Sequence, residues 1–158
     1  MESSLNLKTY KIPRIRYSLI RESYVESPIE KVQNSRDLVG FLHTQLDDWD
    51  REVFLVIHLD SKNQIIDICT ASIGSLSTSI THPREIWCYA VRNQSAAVIF
   101  VHNHPSGEAT PSHEDKDCTD RLVKAGQILG IRVLDHLIIG AYGNFFSFAD
   151  SGLLKSSS

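Results

Sequence analysis

The sequence predicts an α/β fold in which helices flank a mixed β-sheet. Apolar runs of strand length are interleaved with segments of helical periodicity, and the whole chain has 158 residues, enough for one compact domain. Two of the apolar runs are separated only by a short turn, which is typical of an antiparallel hairpin. A later pair is separated by a helical segment long enough to be a parallel crossover. A hairpin beside a crossover makes the sheet mixed.

The first half of the chain supplies the hairpin. Residues 1–34 show no sustained period and are predicted to be a poorly defined arm. Ser35 is a candidate cap for a helix that reaches about Asp48. The hairpin follows as EVFLVIHLD and QIIDICTAS, joined by a turn at residues 60–63, and the sequence HPRE at residues 82–85 then opens a helix that extends to about residue 94.

The second half supplies the crossover. The run AAVIFV (96–101) predicts a buried strand, and Ser112 begins a helix that Gly130 closes. IRVLDHLIIG predicts the next strand, and a short strand is expected around residues 144–148. We therefore expect one domain over 35–154, followed by a tail at 155–158.

Composition narrows the functional class. The chain is 42% hydrophobic and 22% charged, with a formal net charge of −3. No apolar stretch approaches the roughly 20 residues of a membrane span, and the first residues lack the apolar core of a secretory signal. Three widely spaced cysteines fit neither a disulfide framework nor a cysteine-rich metal cluster. These features predict a cytoplasmic protein with no membrane partner.

The net charge argues against a protein whose main task is binding nucleic acid, because such proteins usually carry a basic surplus. The basic cluster near the start of the chain comprises Lys8, Lys11, Arg14 and Arg16. A solvated edge is the favoured interpretation of this cluster. A weak DNA contact through it remains the alternative.

The residues with the clearest chemistry follow the strand at 96–101. His102 and His104 are two positions apart, so their imidazoles leave the end of a strand on the same side. Asp115 falls in the first turn of the next helix. Two imidazoles and one carboxylate are the ligand set of a catalytic zinc, which keeps its fourth position for water.

These residues also have other interpretations. Ser112 and Asp115 have the spacing of a capping box, in which the acid only supports the helix start. Two histidines and a carboxylate also form the triad of non-haem iron oxygenases, although those sites usually lie in β-barrels. The conjunction of His-x-His-Pro with Ser-x-x-Asp favours the zinc site over a chance arrangement.

The segment HNHPSGEATPSHED resembles the motif of JAMM metalloproteases, and its fuller form is similar to the RadC-like branch of that family. REVFLVIHLD, THPREIW, IRVLDHLIIG and FSFADSGLL add to the resemblance, which covers roughly residues 36–154. It implies the JAMM/MPN architecture, which is similar to that of cytidine deaminases. Many RadC proteins also carry a DNA-binding helix-hairpin-helix segment before this domain. The residues before Ser35 lack its glycine-bearing pattern.

The resemblance also implies roles. His102, His104 and Asp115 would bind Zn²⁺, and the Ser112 hydroxyl would donate a hydrogen bond to the oxyanion. Glu52, at the start of an early strand, matches the general base of the family. That base activates the water that attacks a peptide or isopeptide bond. Glu85 is the other candidate base, but its place at a helix start favours an electrostatic role there. The RadC name further implies DNA repair.

Three interpretations stay open at this level. Asp135 and His136 are adjacent on a strand and so face opposite sides, which favours structural roles, with one of them behind a zinc ligand. Cys69 and Cys88 are expected to be small buried residues, whereas Cys118, one turn after Asp115, is a candidate accidental metal ligand with poor spacing. Finally, the fold could serve as a catalytically silent binding module.

Overall fold

The computed structural model describes residues 10–46, 49–74 and 82–154. Within these ranges the chain forms five strands and three α-helices, the first helix being preceded by a 3-10 turn at Ser35–Leu38. The strands are β1 (Val53–Leu59), β2 (Ile65–Ile73), β3 (Ala97–Asn103), β4 (Arg132–Ile139) and β5 (Phe145–Ser147), and the helices are α1 (Val39–Leu46), α2 (Pro83–Arg92) and α3 (His113–Leu129).

The sheet is mixed, as predicted. Its strand order is β2-β1-β3-β4-β5. β1 pairs antiparallel with both β2 and β3, whereas β3 and β4 are parallel and are connected through α3. β5 pairs antiparallel with β4 and closes that side of the sheet. The central strands β1 and β3 are buried at every position, so the sheet has a packed layer on each face.

Alternate residues of the strands build two separate cores. On one face, Leu55 and Ile57 of β1 and Ile99 of β3 pack against α1, with Leu38 and Leu42 at the centre of the contact. On the opposite face, α2 and α3 cover the strands. The residues of this second core include Phe54, Val56, Ile86, Trp87, Val98, Phe100, Cys118 and Leu122. The candidate metal ligands lie on this second face.

The helix ends follow local chemistry. His82 and Pro83 begin α2 as predicted, and Gly130 ends α3 with a left-handed φ of 70°. The first cap was predicted one residue too late. Asn34 caps the 3-10 turn by accepting from the Arg36 backbone N–H, because the Ser35 hydroxyl donates to a buried carboxylate instead. Asp48, the predicted end of the first helix, lies outside the described residues.

The N-terminal arm forms no helix or long strand between residues 10 and 30, and Lys11, Arg14 and Arg16 of the basic cluster are exposed. Lys8 lies outside the described residues. The end of the arm pairs with the residues before β2 through a bridge from Lys31 to Gln64. Among the residues that the structure describes, no helix has the length and apolarity needed to cross a membrane.

The cysteines differ slightly from expectation. Cys69, on the edge strand β2, and Cys88, on α2, are half-buried and not fully buried. Burial raises the pKa of the Cys69 thiol to about 12. Cys118 is buried in the core between α2, α3 and the sheet, and burial raises its pKa to about 11. Such thiols remain protonated and pack as small apolar groups.

Candidate metal centre

Three predicted site residues converge at the end of β3. The Nε2 atoms of His102 and His104 are 3.0 Å apart. Asp115 Oδ1 lies 3.3 Å from His102 Nε2, and Asp115 Oδ2 lies 3.4 Å from His104 Nε2. One ligand atom from each residue lies within 4.8 Å of the others, so the group could hold a metal ion.

The fold brings these residues together for local reasons. His102 continues the row of Val98 and Phe100, so its side chain points to the α2/α3 face. α3 starts directly above that row, and Ser112 caps it in a full capping box with Asp115. Asp115 Oδ2 accepts hydrogen bonds from the Ser112 backbone N–H and hydroxyl, each at 2.7 Å. The capping box and the candidate site therefore share one carboxylate.

The charges of the three groups are coupled. Burial lowers the pKa of His102, an effect that the Asp115 carboxylate partly opposes. The hydrogen bond to Asp115 raises the pKa of the more exposed His104. Burial alone would raise the pKa of Asp115, but the contacts of its carboxylate with the imidazoles of His102 and His104 hold it well below its ordinary value. At neutral pH the site thus pairs an ionised carboxylate with two imidazoles.

The donor set fits a small cation. His104 Nδ1 lies 2.7 Å from the Glu108 carbonyl oxygen, which can only accept, so Nδ1 carries a proton. In neutral His104 the Nε2 lone pair then faces His102 Nε2 and the Asp115 oxygens. Electron-rich atoms this close require a shared proton or metal between them. Nitrogen and oxygen ligands of a tetrahedral zinc at about 2.0–2.1 Å are about 3.3–3.4 Å apart, and the observed separations are 3.0–3.4 Å.

Glu52 lies at the edge of this group. In the antiparallel pairing of β1 with β3, Phe54 is opposite His102, so two residues earlier Glu52 comes opposite His104. Its carboxylate is close enough to raise the pKa of both His102 and His104, although it is the weakest of the influences on each. Glu85 is instead exposed on α2 and pairs with Arg84 at 3.1 Å. The geometry thus brings Glu52, and not Glu85, next to the candidate ligands.

Asn103 positions Glu52 and was not singled out from the sequence. Its side-chain oxygen accepts from the Val53 backbone N–H at 2.7 Å, and its Nδ2 donates to the Arg51 carbonyl at 3.1 Å. These two bonds fasten the chain on either side of Glu52 to the end of β3. The sequence could have indicated Asn103 by its position between His102 and His104, because strand alternation turns its side chain to the opposite face of the sheet.

His136 and Thr119 are also part of the site. His136 Nε2 lies 2.8 Å from His102 Nδ1, and His136 Nδ1 lies 2.6 Å from Thr119 Oγ1. The sequence suggested that one residue of the Asp135-His136 pair would lie behind a ligand, and the structure identifies it as His136. Thr119 was missed. It lies one helical turn after Asp115, a spacing that could have indicated it.

A cleft of about 360 Å³ opens beside His104. Its lining includes Trp49, Tyr142 and residues 139–141. Ser72 is half-buried, and the polar residues Ser75, Ser77 and Ser79 that follow it lie outside the described residues. His104, which is partly exposed, is the candidate ligand that lines this cleft.

Comparison with known proteins agrees with this architecture. The UPF0758 protein of Pelobacter propionicus is 51% identical over 126 residues, which cover 80% of this chain and 55% of that protein. The UPF0758 protein of Trichlorobacter lovleyi is 52% identical over 126 residues, 80% of this chain and 54% of that protein. The counterpart from Methanosarcina mazei is 44% identical over 134 residues, 85% of this chain and 58% of that protein.

This chain spans a little more than half of the length of these curated relatives. The model of the RadC-like JAB domain matches residues 32–153, which include all five strands and the whole candidate site. The chain therefore belongs to the RadC-like JAB domain family.

Proposed function

We propose that this chain is a zinc-dependent hydrolase that cleaves a peptide or isopeptide amide. The observation that carries the proposal is the convergence of His102, His104 and Asp115 beside Glu52, with His104 lining an open cleft. His102, His104 and Asp115 would hold the ion. Bound zinc would supply Lewis acidity toward a carbonyl oxygen and would make water more acidic.

The protein's own groups would carry the proton and the developing charge. Glu52 would accept a proton from the attacking water and return it to the leaving amine. The Ser112 hydroxyl, which donates to Asp115 in the structure, would turn to donate to the oxyanion formed from the carbonyl. The cleft beside Trp49 and Tyr142 would hold the chain that carries the amide.

The first test is metal content. Protein purified without added metal should contain about one zinc per chain by elemental analysis, and Asp115→Asn should contain almost none because it lacks the carboxylate. The amide oxygen of Asn can still accept at the helix cap, so the fold should persist. Asp117→Asn, an exposed change on the same helix, is the matched control. Zinc that persists unchanged in Asp115→Asn would assign Asp115 to the cap alone.

The second test separates binding from chemistry. Glu52→Gln should keep its zinc but lose activity on a peptide or isopeptide library by about 10²–10⁴-fold, the contribution of a general base. Glu85→Gln should retain full activity, since Glu85 points to solvent and pairs with Arg84. A wild-type protein that holds zinc but cleaves no member of the library, with Glu52→Gln indistinguishable from it, would favour the catalytically silent binding module.

A second candidate function is a weak DNA contact through the arm. Lys11, Arg14 and Arg16 are exposed and precede the segment that matches the family domain. Electrostatic contacts of this kind weaken steeply with salt. DNA binding that disappears both at raised salt and on deletion of residues 1–20 would support it, whereas binding that survives the deletion would refute it.

A further inference from the structure

Behind His102 lies a chain of three buried hydrogen bonds that runs from the α3 backbone to the candidate metal ligand. Thr119 Oγ1 is 2.6 Å from the Asp115 carbonyl oxygen and 2.6 Å from His136 Nδ1. His136 Nε2 is 2.8 Å from His102 Nδ1. Both histidines are fully buried, and Thr119 is 1% exposed, so solvent does not compete for these bonds.

The direction of the chain is fixed at its backbone end. A carbonyl oxygen can only accept, and two oxygens 2.6 Å apart require a proton between them, so the Thr119 hydroxyl donates to Asp115. Thr119 has no second proton. The short contact with His136 Nδ1 must therefore be a bond in which Nδ1–H donates to Thr119.

The same reasoning continues to the ligand. With its proton on Nδ1, neutral His136 presents an Nε2 lone pair, which accepts from His102 Nδ1–H. His136 is fully buried among aromatic rings, stacked on Phe148 at 5.0 Å and edge-on to Phe54 at 5.5 Å, surroundings that disfavour a charged imidazolium. With its proton on Nδ1, His102 then directs a lone pair from Nε2 to the site.

We infer that Thr119 and His136 are positioning residues, which fix the tautomer of His102 so that its Nε2 is a metal ligand. The inference rests on the proposed metal site. Packing alone would not require a hydroxyl at Thr119 or an imidazole at His136, whereas the proposed role requires both. If the direction were reversed, His102 Nε2 would carry a proton and could not bind a cation.

A matched pair at Thr119 tests this role. Thr119→Val keeps the side-chain volume but removes the oxygen, which frees His136 and His102 to adopt the opposite tautomers. We expect its zinc dissociation constant, measured by competition with a chromogenic chelator, to rise about 10–100-fold, as for other residues that orient metal ligands. Thr119→Ser keeps the hydroxyl and should bind zinc within about threefold of the wild type.

Urea unfolding of each metal-free variant reports the change in packing separately from the change in affinity. Wild-type affinity in Thr119→Val, or equal weakening in the Val and Ser variants, would overturn the inference.

The tautomers themselves can be observed without metal or substrate. Long-range ¹H–¹⁵N spectra of the metal-free wild-type protein should show His102 and His136 both protonated on Nδ1, and His136→Gln assigns the signals. A proton on Nε2 of either residue would overturn the inference. Failure of the wild type to bind zinc would instead refute the proposed metal site, and the spectra would still decide the direction of the hydrogen bonds.

Discussion

Asp135 and His136 are neighbours on β4, yet they belong to two very different hydrogen-bond networks. The Asp135 carboxylate accepts from the hydroxyls of Ser35 and Ser147 at 2.5 and 2.6 Å. It also accepts from the backbone N–H groups of His136 and Ala149 at 2.7 and 3.0 Å. Every donor comes from the protein, so this network is closed and ties the 3-10 turn and the C-terminal segment to the sheet.

The His136 network, on the opposite face, is open at one end. It begins at a backbone carbonyl of α3 and ends on the Nε2 lone pair of His102, which is directed to the candidate metal site. The comparison teaches that burial of a polar side chain does not by itself indicate function. The two networks differ in their final acceptor. The Asp135 carboxylate accepts from donors of the protein, whereas the Nε2 lone pair of His102 is directed to the candidate metal site.

The sharpest way to separate the two networks is Asp135→Ala. The change leaves several buried donors without an acceptor, and we expect it to lower the free energy of unfolding by on the order of 3 kcal/mol or more. Zinc per folded chain should stay at the wild-type value, because the carboxylate faces away from the site. Urea unfolding and elemental analysis measure the two quantities. Loss of zinc from the folded fraction would show that the networks are coupled through β4.

The pH dependence of stability probes the open network. Burial holds the folded-state pKa of His136 well below the value of 6.5 expected when unfolded. Below pH 6.5 the His136 imidazole is therefore protonated in the unfolded chain but not in the folded chain. The free energy of unfolding falls as the pH falls. One such histidine lowers the free energy of unfolding by about 1.4 kcal/mol when the pH is lowered from 7.5 to 5.5. In metal-free protein, His136→Gln should reduce the pH-dependent loss by that amount.

The control for this experiment is Ile138→Val, which removes a buried methyl from the same strand without removing a titrating group. It should lower stability equally at both pH values. An unchanged pH dependence in His136→Gln would contradict a neutral, buried His136.

The change with the smallest expected effect tests whether the four donors to Asp135 can compensate for the loss of one of them. Ser35→Ala removes one of the four donors to Asp135, and we expect a loss of about 1 kcal/mol, the usual net value of one hydrogen bond. Ser27→Ala, which alters an exposed turn, serves as the control. A loss in Ser35→Ala as large as that in Asp135→Ala would mean that this single hydroxyl dominates the network.

The local patterns of the sequence predicted most of the fold. Alternation and length located the strands, and the pairs His82-Pro83 and Ser112-Asp115 predicted the helix starts that the structure has. The first cap was misassigned to Ser35 because its hydroxyl has a partner 100 residues away, which no local pattern contains. Local capping chemistry is therefore a good guide only where the polar side chain lacks a distant competitor.

The sequence by itself determined the candidate ligands, since His102, His104 and Asp115 lie within 14 residues and one strand end and one helix start are enough to relate them. The tertiary structure decided what surrounds them. Glu52 approaches His104 only through the register of β1 on β3, and His136 reaches His102 only because β4 lies beside β3. These contacts join residues far apart in the chain, and their geometry depends on strand pairing and on the packing of α3, which local periodicity does not encode.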